Sequence, residues 1–119
     1  MKSGIGILKF ADGSYYQGNF EKGLINGEGQ YRWKNGKLYL GQWIDNKING
    51  EGQMVWQDGQ IYQGTFCNEL MHGEGVLTYK NGTVYNGFWK EGKQHGRGTI
   101  QSECGAKLVG EWNEGKRIQ

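Results

Sequence analysis

Proline is absent from the 119-residue sequence, and apolar residues are scarce. Without proline, every residue keeps the backbone N–H that a strand ladder needs, which favours continuous strands. Only 35% of the residues are hydrophobic, and the mean hydropathy is −0.79. Because so little apolar material leaves little for a closed core, we expect an elongated, thin structure.

Blocks of like charge and an N-terminal apolar segment are missing as well. The 14 basic and 12 acidic residues are scattered along the chain and leave a net charge of +2. No stretch would follow a phosphate backbone, so the sequence predicts no nucleic-acid partner. Residues 1–10 are too short for the apolar region of a secretory signal, and we therefore predict a cytoplasmic protein.

Glycine, in contrast, is abundant and strictly periodic. All 23 glycines fall into five columns when the sequence is cut every 23 residues, and no insertion breaks the register. A period of this size indicates an array in which each unit is one supersecondary element. We place the units near residues 14, 37, 60, 83 and 106, with a half unit at 1–13, in a single domain over 1–119. The two cysteines, Cys67 and Cys104, occupy non-equivalent places in the unit, so we interpret them as reduced thiols.

Each unit contains two alternating stretches joined by a turn of the Asn-Gly or Asp-Gly type, which is typical of a β-hairpin. Residues 29–33 and 37–43 form such a pair around a turn that ends in Gly36. A two-residue turn would place the aromatic side chains of the two strands on opposite faces. A three-residue loop with Gly36 in the left-handed region pairs Tyr31 with Tyr39 and collects the rings on one face. We therefore predict the three-residue loop.

This register predicts an all-β fold: an elongated, single-layer, twisted antiparallel sheet of stacked β-hairpins, with about ten strands and one solvated face. Longer connections, such as Glu21 to Gly27 and Ile44 to Gly50, are expected to form a second rim. Strand glycines clear space on the aromatic face, where a neighbouring ring lies over each gap, and turn glycines supply the left-handed position. These structural glycines are Gly18, Gly41, Gly64 and Gly87 in the strands and Gly36, Gly59 and Gly82 in the turns.

The aromatic face is the candidate binding site. We expect no helix to cover it, and a large open apolar strip marks an interaction site. Its rings are expected both to stabilise the sheet and to bind a helix or extended peptide of a partner protein. The predicted site residues are Phe10, Tyr16, Phe20, Tyr31, Trp33, Tyr39, Trp43, Trp56, Tyr62, Phe66, Tyr79, Tyr85 and Trp89.

One unit, with an aromatic-Gly-aromatic strand, a glycine pair and an Asp-Gly turn, resembles the MORN repeat (membrane occupation and recognition nexus). The resemblance covers essentially the whole chain; the fifth unit departs from it at Ser102 and Leu108. It implies a grooved sheet of antiparallel hairpins and roles in scaffolding, partner-peptide binding, self-association or membrane attachment. Choline-binding hairpin repeats use similar residues, but the missing secretion signal and the single, spaced aromatic residues count against them. The matching residues are Tyr39, Gly41, Trp43, Gly50, Gly52, Asp58 and Gly59.

Residue patterns typical of catalysis, metals or cofactors are not evident. His72 and His95 occupy equivalent loops one hairpin apart, which is roughly 10 Å and too far for one zinc ion. Glu28, Glu51 and Glu74 form a column of equivalent exposed sites, which gives no pair of carboxyl groups with distinct pKa values. We therefore predict no enzyme, no cofactor and no metal site.

Three functions remain as hypotheses. The first is a non-enzymatic scaffold for a partner protein, with a cytoskeletal or ciliary assembly as a setting that the resemblance implies. On that hypothesis, replacing Tyr39 and Tyr62 by Ser should abolish binding while the sheet stays folded. The second is a membrane-attachment module for anionic phospholipid, and the third is the regulatory repeat array of an enzyme complex. Homodimers or end-to-end association through the first and last strands, near 5–10 and 106–112, are further expectations.

Overall fold

The computed structural model describes residues 3–118; the ends of the predicted domain at residues 1, 2 and 119 lie outside the described residues. Eleven strands form one antiparallel sheet in which strand order follows sequence order, and no helix occurs in this part of the chain. The sheet measures 51 × 23 × 19 Å, so the predicted elongated all-β architecture is confirmed. The strands are β1 (Gly4–Lys9), β2 (Tyr15–Glu21), β3 (Leu24–Arg32), β4 (Leu38–Ile44), β5 (Lys47–Val55), β6 (Ile61–Cys67), β7 (Leu70–Thr78), β8 (Val84–Lys90), β9 (Lys93–Gln101), β10 (Lys107–Asn113) and β11 (Lys116–Arg117).

Three-residue loops join β1 to β2, β3 to β4 and each later pair along one edge, which we call the near rim. In the second loop the Trp33 amide donates a hydrogen bond of 2.9 Å to the Lys37 carbonyl, and the Gly36 amide donates one of 3.0 Å to the Trp33 carbonyl. Gly36 has a φ of 93°, and Tyr31 pairs with Tyr39. The predicted loop length and register are thus confirmed. A left-handed residue closes this turn, which explains the invariable glycine at the third position.

The opposite edge, the far rim, differs from the prediction of long connections. Glu21 pairs with Leu24, so the intervening connection contains only two residues, Lys22 and Gly23. Their φ angles are 52° and 81°, which places both central residues in the left-handed region, as a type I′ hairpin turn requires. The incomplete fifth glycine column is the second position of these turns. The five far-rim turns are Lys22–Gly23, Asp45–Asn46, Asn68–Glu69, Glu91–Gly92 and Glu114–Gly115.

A bulge in each of β3, β5, β7 and β9 accounts for the residues that we expected in loops. Between paired positions Gly18–Gly29 and Phe20–Ile25, β2 has one residue and β3 has three. The kinked strand directs the carbonyl of Ile25 toward the next far-rim turn, where the amide of Asn46 donates to it at 2.8 Å. The same bond, also 2.8 Å, joins the Glu69 amide to the Ile48 carbonyl. Neighbouring hairpins are therefore joined along the far rim as well as along their strands.

A row of glycines crosses the middle of the sheet and makes room for the core. Gly18 pairs with Gly29 on one side and Gly6 on the other, and the pattern continues strand by strand to Gly110. The ring of Tyr16 lies over this row, so a Cβ atom on Gly29 would overlap it. The Tyr16 hydroxyl donates to the Asn19 carbonyl at 2.9 Å. The prediction that a ring fills the glycine gaps is confirmed for the paired strand glycines from Gly18 to Gly98.

The aromatic part of the core is a single zigzag of nine rings along this glycine row. Each tyrosine packs edge-on against one ring of its own unit and one of the next unit; Tyr39, for example, lies 5.4 Å from Trp43 and 5.3 Å from Phe66 between ring centroids. Edge-to-face contacts at this distance are favourable beyond the area that they bury. One ring layer therefore links all units. In order, the rings are Phe20, Tyr16, Trp43, Tyr39, Phe66, Tyr62, Trp89, Tyr85 and Trp112.

The other face is mostly polar and solvated, as expected. Gln17, Arg32 and Gln63 are exposed there, and Phe88 is a large apolar side chain on this face with 46% of its surface exposed. At the C-terminal end, β11 pairs with β10 only at Trp112–Arg117 and Asn113–Lys116. The last strand, expected near 106–112 to be an open edge for association, is therefore covered by β11 at Trp112.

Candidate functional site: an aromatic groove

The structure separates the predicted site residues into a buried and an accessible group. Tyr16, Tyr39, Tyr62 and Tyr85 have no exposed surface, and their ring partners Phe20, Trp43, Phe66 and Trp89 are also buried. A partner on the intact surface would not touch the four tyrosines. Phe10, at 39%, is exposed, and four further side chains are half-buried on top of the core. The accessible group is Phe10, Tyr31, Trp33, Trp56 and Tyr79.

Much of the accessible group meets in one depression between the two rims, near the N-terminal end of the sheet. We call it the aromatic groove; it encloses about 380 Å³. Its floor and near-rim side are apolar, and its far-rim side is made by three turn residues. The lining residues are Leu8, Phe10, Phe20, Gly23, Ile25, Tyr31, Trp33, Trp43, Asn46 and Glu69.

Ring contacts fix the shape of the groove. Tyr31 is the central ring: its centroid lies 4.6 Å from that of Trp33, 5.7 Å from Phe10 and 5.8 Å from Trp43. Because Tyr31 projects from β3 onto the buried zigzag, its position follows from the core beneath it. The groove therefore presents preformed ring faces, which suits binding of an apolar segment with little reorganisation.

Charged residues lie at two places around the groove. The Nζ atom of Lys37 lies 4.7 Å from the centroid of the Trp33 ring, but Lys37 lines a neighbouring depression and not the groove itself. On the far-rim side, Glu69 belongs to the lining together with Asn46. The amide side chain of Asn46 is used internally, because its Oδ1 accepts a 2.8 Å hydrogen bond from the Ile25 amide. Glu69 is thus the acidic group of the lining.

Sequence reasoning missed Leu8, Ile25, Gly23, Asn46 and Glu69 as groove residues. The first two are aliphatic, whereas the prediction followed aromatic rows. The last three lie in turns that we expected to be longer loops. A signal was nevertheless present, since Asn46 and Glu69 are the two members of the fifth column that are not glycine.

Burial changes the titration of the core tyrosines. It raises the pKa of Tyr39, and likewise of Tyr62, from 10.0 to about 12, because the phenolate would lose its hydration. Each hydroxyl also donates to a backbone carbonyl, Tyr39 to Gln42 and Tyr62 to Thr65, both at 3.0 Å. These groups serve as neutral structural donors and do not supply a phenolate for chemistry near neutral pH.

We expect alkaline unfolding between about pH 10 and 12. The folded chain holds the Tyr39 and Tyr62 protons more tightly than the unfolded chain, so their stabilisation is complete below pH 10 and is lost as the pH rises through 12. The loss is roughly 2–3 kcal/mol per tyrosine once both are ionised. Urea denaturation across this range, combined with tyrosinate absorbance, measures it. Full ionisation near pH 10 with an unchanged urea midpoint would contradict the expectation.

Histidine, cysteine and acidic side chains do not assemble into a metal site in residues 3–118. The Nδ1 atom of His72 accepts a long hydrogen bond of 3.4 Å from the Glu91 amide, while Nδ1 of His95 is buried without a hydrogen-bond partner in the described structure. Cys67 and Cys104 are free and exposed. Across this same part of the chain, no helix is long and apolar enough to cross a membrane.

Comparison with protein-family models agrees with the repeat architecture. The family model described as MORN repeat matches residues 1–15, 16–37, 39–61, 62–84 and 85–103. A search of curated proteins gives no match. Among solved structures, the chain is similar to the TCP domain of SAS-4 (dCPAP) from Drosophila melanogaster, solved in complex with a proline-rich motif of Ana2 (dSTIL). That match has 11% identity and a TM-score of 0.47, and it covers 92% of this chain and 66% of the other, just under two thirds of its length.

Proposed function

Because the chain belongs to the MORN repeat family, we propose that it is a protein-interaction scaffold that holds a segment of a partner protein in the aromatic groove. The MORN repeat is a non-catalytic module, and the proposal includes no enzymatic activity of this chain. A cytoplasmic location, with a cytoskeletal or ciliary assembly as one setting, is part of the same proposal. The partner segment is a helix or an extended peptide with apolar side chains.

One observation carries the proposal: large ring faces remain accessible above a core that is already complete. Phe10, Tyr31 and Trp33 are not needed to link the units, since the zigzag of buried rings does so without them. Solvent-accessible aromatic side chains that converge in a concave site are the usual anchors of protein interfaces. Because these rings are already held in place, the site itself would lose little conformational entropy when a segment binds.

A peptide-display experiment tests the proposal. Randomised linear peptides are selected on the whole chain, and the affinity of the best ones is measured for three variants. Replacing Phe10 or Trp33 by Ser should weaken binding by about thirtyfold, as expected for an interface anchor worth about 2 kcal/mol. Phe88→Ser is the matched control, because it removes an exposed ring from the opposite face.

Circular dichroism and thermal melting check that each variant is folded. Selected peptides that bind the Phe10→Ser and Trp33→Ser variants as well as the unmodified chain would overturn the proposal. Sedimentation of the chain with phosphoinositide-containing vesicles at physiological salt, in the absence of peptide binding, would favour the membrane-attachment alternative instead.

A further inference from the structure

The far-rim turn after β6 carries glutamate where the four equivalent turns carry glycine or asparagine. Glu69 has a φ of 73°, in the left-handed region. Glycine enters this region without a steric penalty and asparagine does so with a small one, whereas glutamate has neither advantage. The second positions of the other turns are Gly23, Asn46, Gly92 and Gly115.

No hydrogen bond or ion pair of the Glu69 side chain compensates for this conformation within residues 3–118. The Glu69 amide donates to the Ile48 carbonyl, but any residue at this position would make that backbone bond. The side chain is exposed, and within residues 3–118 its carboxylate has no hydrogen bond or ion pair. Lys22, Glu91 and Glu114 are also left-handed in far-rim turns, so the strain alone assigns no role. What distinguishes Glu69 is that it lines the aromatic groove without a partner for its carboxylate among the described residues.

The position of Glu69 defines that role. It lines the far-rim side of the aromatic groove, together with Asn46 and Gly23. A cationic group of a bound segment would be attracted toward the carboxylate of Glu69. An unpaired carboxylate beside ring faces offers a guanidinium group both a charge-assisted hydrogen bond and a stacking surface.

We propose that Glu69 is a specificity-determining residue that selects a partner segment with an arginine or lysine directly next to its apolar anchor residues. The proposal rests on the proposed function, because it needs a peptide in the aromatic groove. Arginine is the better match, since its planar and weakly hydrated guanidinium group can pair with a carboxylate in two hydrogen bonds and lie flat on an aromatic ring. Segments with an acidic residue at that place are rejected.

The same peptide selection, analysed for composition, tests this inference. Peptides selected on the unmodified chain should be enriched in Arg and Lys beside the apolar residues, and this enrichment should vanish in a selection on the Glu69→Gln variant. For one enriched Arg peptide, Glu69→Gln should weaken binding about fivefold at low salt, as for a partly exposed ion pair. Glu91→Gln is the matched control, because it removes the same charge from the next far-rim turn, outside the groove.

A second variant separates binding from stability. Glu69→Gly should raise the melting temperature by relieving the backbone strain, and at the same time it should abolish the Arg and Lys enrichment. A gain in stability together with a loss of selectivity is not expected if Glu69 is merely structural. Selected peptides that depend on Phe10 and Trp33 but show no basic enrichment, or that bind Glu69→Gln with unchanged affinity, would overturn the inference while leaving the proposed function intact. Loss of the dependence on Phe10 and Trp33 would overturn both.

Discussion

Alanine in place of Gly64 is expected to lower the free energy of unfolding by about 4 kcal/mol or more. A Cβ atom at Gly64 would lie 2.5 Å from the Cα atom of Gly75 and 2.6 Å from the carbonyl oxygen of Glu74. Both are backbone atoms of the adjacent strand, so relief requires the two strands to separate. Because Gly64 lies in the middle of the glycine row, the separation would also displace the ring of Tyr62 above it. Urea denaturation followed by circular dichroism measures the loss.

Gly59→Ala is the matched control for this prediction. Gly59 closes a near-rim turn with a φ of 100°, and no atom lies within 4 Å of a Cβ built there. Alanine at this site meets only backbone strain, which costs about 1–2 kcal/mol. Equal losses for the two variants would mean that close approach of the strands is not what the glycine row provides.

The periodic part of the sequence was sufficient to predict the all-β fold, the near-rim loop and the face on which the rings lie. The alternation of side chains and the fixed turn glycine are together compatible with only one strand register. In that register Tyr31 pairs with Tyr39, and the structure has this pairing. These features could be predicted because local turn chemistry and ring placement agree.

The far rim could not be predicted in the same way, because a bulge interrupts the period of two. The stretch from Glu21 to Gly27 has the polar and glycine-rich composition of a loop, yet Leu24 begins a nine-residue strand. The type I′ turn is also difficult to recognise from the sequence, because Lys22 occupies a left-handed position usually held by Asn, Asp or Gly. These two-residue far-rim turns have residues other than glycine at their first position. They can therefore be recognised only when the register of the two flanking strands is known.

The sequence also did not predict which rings of the aromatic face are buried and which are accessible. Rows of rings on one face are equally compatible with an exposed strip and with a self-covering layer. Two three-dimensional facts decide between them: the glycine row lets the tyrosine rings lie flat on the sheet, and the next unit supplies a ring that covers each one. The candidate site is accordingly reduced from thirteen predicted residues to the accessible group and the groove residues around it.

Removal of the ring of Tyr62 is expected to destabilise the array rather than to affect partner binding alone. Tyr62 packs against Phe66 at 5.1 Å and against Trp89 of the next unit at 5.4 Å, and it has no exposed surface. Tyr62→Ala should therefore lower the free energy of unfolding by about 3–5 kcal/mol, through the cavity that it leaves. The earlier expectation that Ser at Tyr39 and Tyr62 leaves the sheet folded is not compatible with this burial.

Tyr62→Phe separates the ring from its hydroxyl group. It keeps both ring contacts and loses only the hydrogen bond to the Thr65 carbonyl, so we expect a loss of about 1 kcal/mol. In a repeat array, stability is the sum of units and the interfaces between them, and Tyr62 belongs to an interface. Tyr62→Ala should thus broaden the urea transition or split it into two steps, as the units up to Phe66 and those from Trp89 onward unfold separately, whereas Tyr62→Phe should keep one sharp transition. A single sharp transition with an unchanged midpoint in Tyr62→Ala would show that the ring zigzag does not couple the units.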